Sequence, residues 1–434
     1  MEASVIFTVL AVLLLAGVPI AICLGLSSAI YLLLFYPIPE WSSTTAILAG
    51  ILPNKFGATM EHFTLMAIPF FIISSNFLST GGVAKRIIRF ANALVGWMAG
   101  GLAMAGILAC IMFAAVSGSS PATVVAIGSI MIPGMVEAGY TKRFAVGSIA
   151  TAGSLGILIP PSIVMIVYAV ATEQSVGKMF IAGIVPGLML GAMLLVVTWV
   201  TAKRKNMPCE AVPTLKEIWV SFVDAIWGLL LIVMIIGGIY GGIFTPTEAA
   251  AVAAVYSAFI SLFVYRDMGF KDIPHVMLES AKMTAMLLFI ISCAMIFAHV
   301  LTMERIPQSI AEWLVAKNMS WWMFLLMVNV ILWFAGDFME PSSIILILAP
   351  IFFPIATALG INPIHLGIIM TLNMEVGMIT PPVGLNLYVA SGLSGMRLED
   401  VTKAALPWML VMIVALILVT YIPSISLFLV DLLY

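Results

Sequence analysis

Long apolar runs separated by short polar breaks fill nearly the whole chain, and the spacing of the breaks predicts its elements. Residues 4–35 are apolar apart from Gly17-Val18-Pro19, which predicts two short membrane crossings joined by a tight turn. Residues 41–61 are mixed, hold Pro53, and are expected to lie along the interface; a crossing over 62–80 follows. Residues 81–92 carry Lys85, Arg86 and Arg89 and read as an amphipathic arm. The stretches 94–115 and 122–136 are separated only by Val116-Ser117-Gly118-Ser119-Ser120-Pro121. Small polar residues with Gly and Pro in apolar surroundings predict a re-entrant hairpin, because irregular backbone at membrane depth survives only when buried in protein or lining a polar cavity. A broken helix over 144–172 and a crossing over 180–201 complete this half.

The second half predicts crossings over 225–240, 247–265 and 284–301. A hairpin over 321–355 follows, with the tip Ala335-Gly336-Asp337-Phe338-Met339-Glu340-Pro341, then a broken helix over 365–391 and a crossing over 406–422. The breaks themselves repeat. Gly156-Ile157-Leu158-Ile159-Pro160-Pro161 has its twin in Gly377-Met378-Ile379-Thr380-Pro381-Pro382, 221 residues later. A double proline removes two backbone donors and clashes with the preceding turn, so a helix cannot pass through intact. Pro133/Pro354 and Pro186/Pro407 share the 221 offset, and the hairpin-tip prolines Pro121/Pro341 fall at 220. The chain is therefore read as an internal duplication: a first repeat over 1–205, a cytoplasmic linker over 206–221 beginning in Lys203-Arg204-Lys205-Asn206-Met207-Pro208, and a second repeat over 222–434. The first hairpin is bounded at about 94–137. Five crossings and one hairpin per half invert the second repeat relative to the first.

Composition sharpens this picture. The 434 residues are 63% hydrophobic and 9% charged, with a mean hydropathy of +1.20, which excludes a soluble domain and predicts an all-α polytopic membrane protein. With the first residue outside, fourteen of the 18 Lys and Arg residues fall on the cytoplasmic side; Lys55, Lys178, Arg305 and Lys317 fall outside. Both termini are then periplasmic, with the first hairpin opening to the cytoplasm and the second to the outside. Met1-Glu2-Ala3 carries no basic segment, so no signal peptide is expected. Cys23, Cys110, Cys209 and Cys293 form no metal spacing and are taken as packing residues. Trp41, Trp97, Trp313, Trp321, Trp322 and Trp408 are taken as interfacial or arm residues, and His299 and His365 as interfacial. No Walker signature and no nucleic-acid motif is present in the sequence.

Two broken helices in matching positions point to an ion and substrate site near the midplane. Carbonyls at helix C-terminal ends suit Na⁺, and N-terminal ends suit a carboxylate. Ser117, Gly118, Ser119 and Gly156 are expected to form one cation cradle, and Gly336, Asp337, Gly377 and Thr380 a second. Asp337 is the sharpest candidate, because an ionised carboxylate within a membrane segment costs about 2.5–3.5 kcal/mol on insertion scales. Asp337 and Glu340 also have a plainer reading as caps of the hairpin's second helix. Asn373 and Glu375, just ahead of the second break, either line the cavity or pair with a neighbour.

The tip Val116–Thr123, the break from Gly156 to Ser162, and the run from Gly336 through Gly377-Met378-Ile379-Thr380-Pro381-Pro382-Val383-Gly384-Leu385-Asn386 resemble the large membrane subunit of the tripartite ATP-independent periplasmic (TRAP) transporters. The resemblance covers essentially the whole chain. It implies an elevator-type secondary transporter in a bacterial inner membrane, importing an organic acid such as a C4-dicarboxylate, sialic acid or another sugar acid with two or more Na⁺. It implies two partners besides the lipid bilayer: a small four-helix membrane subunit, here a separate chain, and a periplasmic substrate-binding protein. It places the substrate near Ser120, Thr123, Glu340, Ser342 and Asn386, beside the break prolines Pro161 and Pro382. Two alternatives stand beside it: a stand-alone ion-coupled anion permease, and an intramembrane serine protease suggested by Gly392-Leu393-Ser394-Gly395, although no histidine is placed to pair with Ser394.

Overall fold

The computed structural model describes residues 2–35, 44–80, 82–317 and 319–434, and these are helical throughout, with no strand among them. Trp41 lies outside the described residues. The apolar start folds as α1 (Glu2–Leu15) and α2 (Ile20–Phe35), with Gly17 at φ +75° turning the chain between them. α3 (Thr44–Met60) runs through Pro53 and meets α4 (Ala67–Thr80) across a bend of 60°. The arm is α5 (Val83–Val95), which buries Val83, Ile87 and Phe90 and leaves its charges outward.

The first hairpin is α6 (Gly101–Ser117) and α7 (Ser120–Glu137). It starts later than 94, because Gly100 at φ +73° ends the arm connection and resets the chain direction. The first broken helix is α8 (Lys142–Ala152), a 3₁₀ turn Gly153–Ile157, and α9 (Ile163–Ala171); α10 (Val176–Arg204) closes the half.

α11 (Leu215–Tyr240) begins inside the stretch expected to be linker. Thr214 and Glu217 form a capping box there, satisfying two orphan donors at once, which a window centred on hydropathy does not register. α12 (Pro246–Phe259) ends in a π turn, and α13 (Ile273–Met303) is 31 residues long. The polar start of α13 around Glu279 and Lys282, paired at 2.8 Å, made the crossing look shorter than the helix is. α14 (Ile306–Ala316) is a second short arm, at the position matching α5, that sequence reasoning missed. The second hairpin is α15 (Trp321–Gly336) and α16 (Pro341–Ala358). The second broken helix is α17 (Pro363–Gly377) and α18 (Leu385–Ser394), followed by α19 (Leu398–Tyr421) and an unexpected α20 (Ser424–Leu433).

The duplication is visible in the helix order: α15, α16, α17, α18 and α19 begin 220 to 222 residues after α6, α7, α8, α9 and α10. The packing crosses between the halves. α7 lies on α18, α16 lies on α9, and α8 lies on α19. The hairpins and broken helices of both repeats thus form one interlocked body. α4, α12, α11 and α13 pack together beside it, joined by the buried Ser74–Ser257 hydroxyl pair at 2.6 Å.

Three side chains depart from expectation. Trp408 is buried at 2% exposure, and its indole N–H donates to Thr198 Oγ1 at 2.7 Å, tying α19 to α10. Cys209 is exposed, whereas the other three cysteines are buried. His365 is buried, with Nδ1 2.6 Å from Ser426 Oγ and Nε2 3.3 Å from the Thr420 carbonyl. Cys209 departs because cysteine is buried on average, and Trp408 because tryptophan in membrane proteins is enriched at the interfaces.

Arg86 clasps the arm to the neighbouring bundle. Its guanidinium lies 2.7 Å from Asp267, 3.4 Å from Asp224 and 3.8 Å over the Tyr265 ring. Partly exposed pairs contribute about 0–1 kcal/mol each and cation–π contacts about 0.5–1. Arg86→Ala should therefore lower the apparent Tm by a few degrees, and the loss should shrink at high salt, where wild type is itself weakened.

Candidate transport site

Each hairpin tip sits on its own repeat's break. Gly118 adopts φ +62°, a backbone that glycine takes without strain, and a Cβ there would meet the Pro161 carbonyl oxygen at 2.7 Å. A Cβ on Gly156 would meet the Ser119 carbonyl oxygen at 2.6 Å and Ser120 Cα at 2.8 Å. Tip and break therefore touch backbone to backbone, which only glycine allows. The Ser117 and Thr123 hydroxyls stand 2.7 Å apart, and both reach the Ser119 carbonyl, at 3.2 and 2.9 Å. The four residues expected to form the first cradle lie together, and the carbonyl of Pro161, expected beside the substrate, abuts Gly118.

The second tip follows the same plan with different chemistry. A Cβ on Gly377 would meet Gly336 Cα at 2.7 Å, so these two glycines are the contact. Asp337 caps the C-terminal end of α15 and is 8% exposed, and its Oδ1 has no hydrogen-bond partner. Thr380 donates to the Val376 carbonyl at 2.7 Å and accepts from the Trp333 indole at 3.2 Å.

Ser120 is a latch: its hydroxyl donates to the Gly153 and Ser154 carbonyls at 3.0 and 2.8 Å. Asn386, at the start of α18, donates to Ser154 Oγ at 3.0 Å and more weakly to Ser120 Oγ at 3.4 Å. A residue of the second break thus reaches the first tip and the first break at full burial, and its own Oδ1 is left without a partner. Ser154 was missed by sequence reasoning; its only signal is its place 221 residues before Glu375.

Glu340 is the N-cap of α16, accepting from the Ser343 amide at 3.2 Å and the Ser343 hydroxyl at 3.1 Å, so its plainer reading fits. Asp337 is not a cap of that helix; it ends the one before. Ser342 is buried on the first turn of α16, while Pro382 is exposed and its counterpart Pro161 is buried. Asn373 donates to the Asn329 carbonyl and side-chain oxygen at 3.0 and 2.8 Å. His299 lines a separate cleft of about 470 Å³ with Lys55, His62, Glu173 and Gln308. Ser394 accepts from the Met396 amide at 3.3 Å at the end of α18. None of the hydrogen bonds among the described residues links it to a histidine, so the protease reading finds no dyad there.

Among the described residues, the buried side-chain oxygens without a partner include Asp337 Oδ1, Asn373 Oδ1, both Glu375 oxygens and Asn386 Oδ1. These five are acceptors on the second tip and second broken helix; Asn92 Oδ1, Ser292 Oγ and Gln308 Oε1, on other helices, are unpartnered as well. Buried polar groups are ordinarily paired, so an excess of acceptors with no donor to meet them fits a site for a cation.

Comparison with known proteins agrees with the fold. The chain matches the family described as tripartite ATP-independent periplasmic transporter, DctM component, over residues 7–425. It is 61% identical over 404 residues to the C4-dicarboxylate TRAP transporter large permease protein DctM of Pseudomonas aeruginosa, covering 93% of this chain and 92% of that one. It is 53% identical to the protein of the same name from Rhodobacter capsulatus, over the full length of both. It is 41% identical to the isethionate TRAP transporter permease protein DctMQ of Oleidesulfovibrio alaskensis, covering 98% of this chain and 66% of that one. Its fold is similar to the crystal structure of the Alcanivorax borkumensis YdaH transporter, with a TM-score of 0.60, 15% identity and 89% of each chain covered; at that identity the likeness concerns the fold alone. With the match running from the first helix into the last, the chain belongs to the TRAP transporter family as a DctM-type large permease.

Proposed function

We propose that this chain is the membrane permease of a Na⁺-coupled importer of C4-dicarboxylates in a bacterial inner membrane. The observation that carries the coupling is Asp337, buried at the C-terminal end of α15 beside the Gly336–Gly377 contact with its Oδ1 unpartnered. The first cradle, with Ser117, Gly118, Ser119, Gly156 and the Pro161 carbonyl, would hold one Na⁺. The second, with Gly336, Asp337, Gly377 and Thr380, would hold another. The substrate class rests on the 61% identity to a C4-dicarboxylate permease. The substrate would lie between the tips, near Ser120, Thr123, Ser342 and Asn386, where the N-termini of α7 and α16 favour an anion. Glu340 fits better as a cap than as a contact.

Cross-packing of α7 on α18 and α16 on α9 supports elevator movement. Rocking one repeat against the other would break those contacts, whereas carriage of the interlocked body past the flanking helices keeps them. The charge bias supports inverted repeats with both termini periplasmic. A relative named DctMQ, of which this chain covers 66%, supports a further membrane subunit as a partner, and a periplasmic protein would deliver the acid.

The test is uptake of labelled succinate into proteoliposomes holding both membrane subunits, with the periplasmic binding protein added outside. An inward Na⁺ gradient should drive accumulation, and replacing Na⁺ with choline should abolish it. Accumulation driven equally well by K⁺ or choline gradients would overturn the coupling. Na⁺-driven uptake of sialic acid but not succinate would overturn the substrate class.

A further inference from the structure

The cleft that holds His299 lies away from both tips and straddles two parts of the molecule. Its volume is about 470 Å³. Lys55, His62 and His299 line one wall, from α3, the turn after it and α13. α3 packs on α13, so this wall belongs to the flanking helices. Glu173, Pro350, Phe353 and Pro354 line the other wall, from the end of α9 and from α16, both parts of the interlocked body. The cleft is therefore a stretch of the seam between body and flank.

Charge is sorted across that seam. Every ionisable side chain on the flanking wall is a cation or becomes one on protonation, and two of the chain's four histidines stand there. The body wall has one ionisable group, the Glu173 carboxylate. Around it the surface is largely proline and phenylalanine, whose side chains offer no hydrogen bond to the flank. The Thr172 hydroxyl on the same wall is already donated to the Tyr168 carbonyl at 2.7 Å.

The backbone goes out of its way to present that carboxylate. Glu173 follows the end of α9 at φ +54°, a left-handed position that glycine or asparagine ordinarily fills. The turn is fastened on both sides. The Gln174 amide donates to the Ala169 carbonyl at 2.8 Å, and the Gln174 side chain donates to the Thr172 carbonyl at 3.1 Å. Glu173 is left exposed at the rim of the cleft.

No ion pair among the described residues joins body to flank. Arg86 and Arg89 tie the arm α5 to Asp224 and Asp267 of the flank. Arg143–Asp400 stays within the body, Lys282–Glu279 within α13, and Arg305–Glu312 between the end of α13 and α14. None of these pairs includes Glu173 or Lys55. Opposite charges thus face each other across an open gap, and their attraction grows as the gap narrows.

We propose that Glu173 is a latch: when the body moves along the seam, its carboxylate closes onto Lys55, with His62 and His299 beside it, and holds the body where this cleft is shut. This rests on the elevator reading above and adds to it a contact that sets the balance between two positions of the body.

The experiment uses lipid nanodiscs holding both membrane subunits. It measures the distance between spin labels on the flank, at Asn54→Cys, and on the body, at Thr357→Cys, with Cys209→Ser removing the exposed native thiol. Both label positions are exposed. Two distances are expected, the shorter from the latched position. Glu173→Gln should lower the ratio of short to long by about fivefold, the factor that a partly exposed ion pair carries. Lys55→Glu should lower it at least as far, and the exchange of Glu173→Lys with Lys55→Glu should restore it. Salt at about 1 M should bring the unmutated latch to the Glu173→Gln ratio. Glu173→Gly separates the latch from the fold. Glycine takes this backbone without strain, so the Tm should not fall, while the ratio should drop as it does with glutamine. A ratio unchanged in Glu173→Gln overturns the latch, and so does a charge exchange that fails to restore it. A single distance, unmoved by Na⁺ and succinate in the unmutated latch, would instead overturn the elevator reading on which the inference rests.

Discussion

Asp337→Asn should reduce Na⁺-driven uptake by about 100-fold at fixed Na⁺ and erase most of the Tm difference between NaCl and choline chloride. The side chain sits at the C-terminal end of α15, where the helix dipole is negative. A carboxylate there opposes the dipole, is 8% exposed, and leaves Oδ1 without a partner. As a structural cap it is the wrong sign at the wrong end. A bound cation reverses all three penalties, since it meets the dipole, the carboxylate and the orphaned oxygen together. Asparagine keeps the shape and removes the charge, so the fold should survive and the loss should appear as weaker Na⁺ binding. An Asp337→Asn protein with wild-type Na⁺ dependence would leave Asp337 without a role in coupling.

The two tips and two breaks were legible in the sequence because prolines and glycines punctuate a chain that is otherwise apolar. Pro160-Pro161 and Pro381-Pro382 could be read directly, and so could the tips, because each is a short polar interruption in a long apolar stretch. The elements that escaped were those whose signal is spread out. α14 carries only scattered polar residues, and α20 follows α19 after a two-residue step, so hydropathy merges it with its neighbour. The partner of each polar residue was not legible at all. Nothing local says that Ser120 is spent on the Gly153 and Ser154 carbonyls, or that Asn386 crosses to the other repeat. Glu340 and Asp337 looked alike as acids flanking one tip. Three residues of separation place one at a helix start with two donors and the other at a helix end with none. Long-range pairing decides such roles, and it depends on how the two halves dock, which the duplication implies only in outline.

That docking makes the glycines at the contacts as indispensable as any charged group. Gly156→Ala and Gly377→Ala should each destabilise by about 1–3 kcal/mol and abolish coupled uptake. At Gly156 the added Cβ would meet the Ser119 carbonyl oxygen at 2.6 Å, the Ser119 carbonyl carbon at 2.7 Å and Ser120 Cα at 2.8 Å. At Gly377 it would meet Gly336 Cα at 2.7 Å and the Gly336 carbonyl carbon at 2.9 Å. Every one of these atoms is backbone, so no rotamer change can relieve the clash; the tip itself must lift from the break. Lifting the first tip breaks the Ser120 and Asn386 latch and opens the first cradle, so Na⁺ stabilisation should fall together with uptake. Gly134→Ala is the control. It lies in α7, its Cβ would meet nothing within 4 Å, and it should be neutral or stabilise by about 0.4–1 kcal/mol through loss of freedom in the unfolded chain. If Gly156→Ala transported as well as Gly134→Ala, tip and break would have to separate during the cycle without consequence, and the cradle at their junction could not be the place where the ion is held.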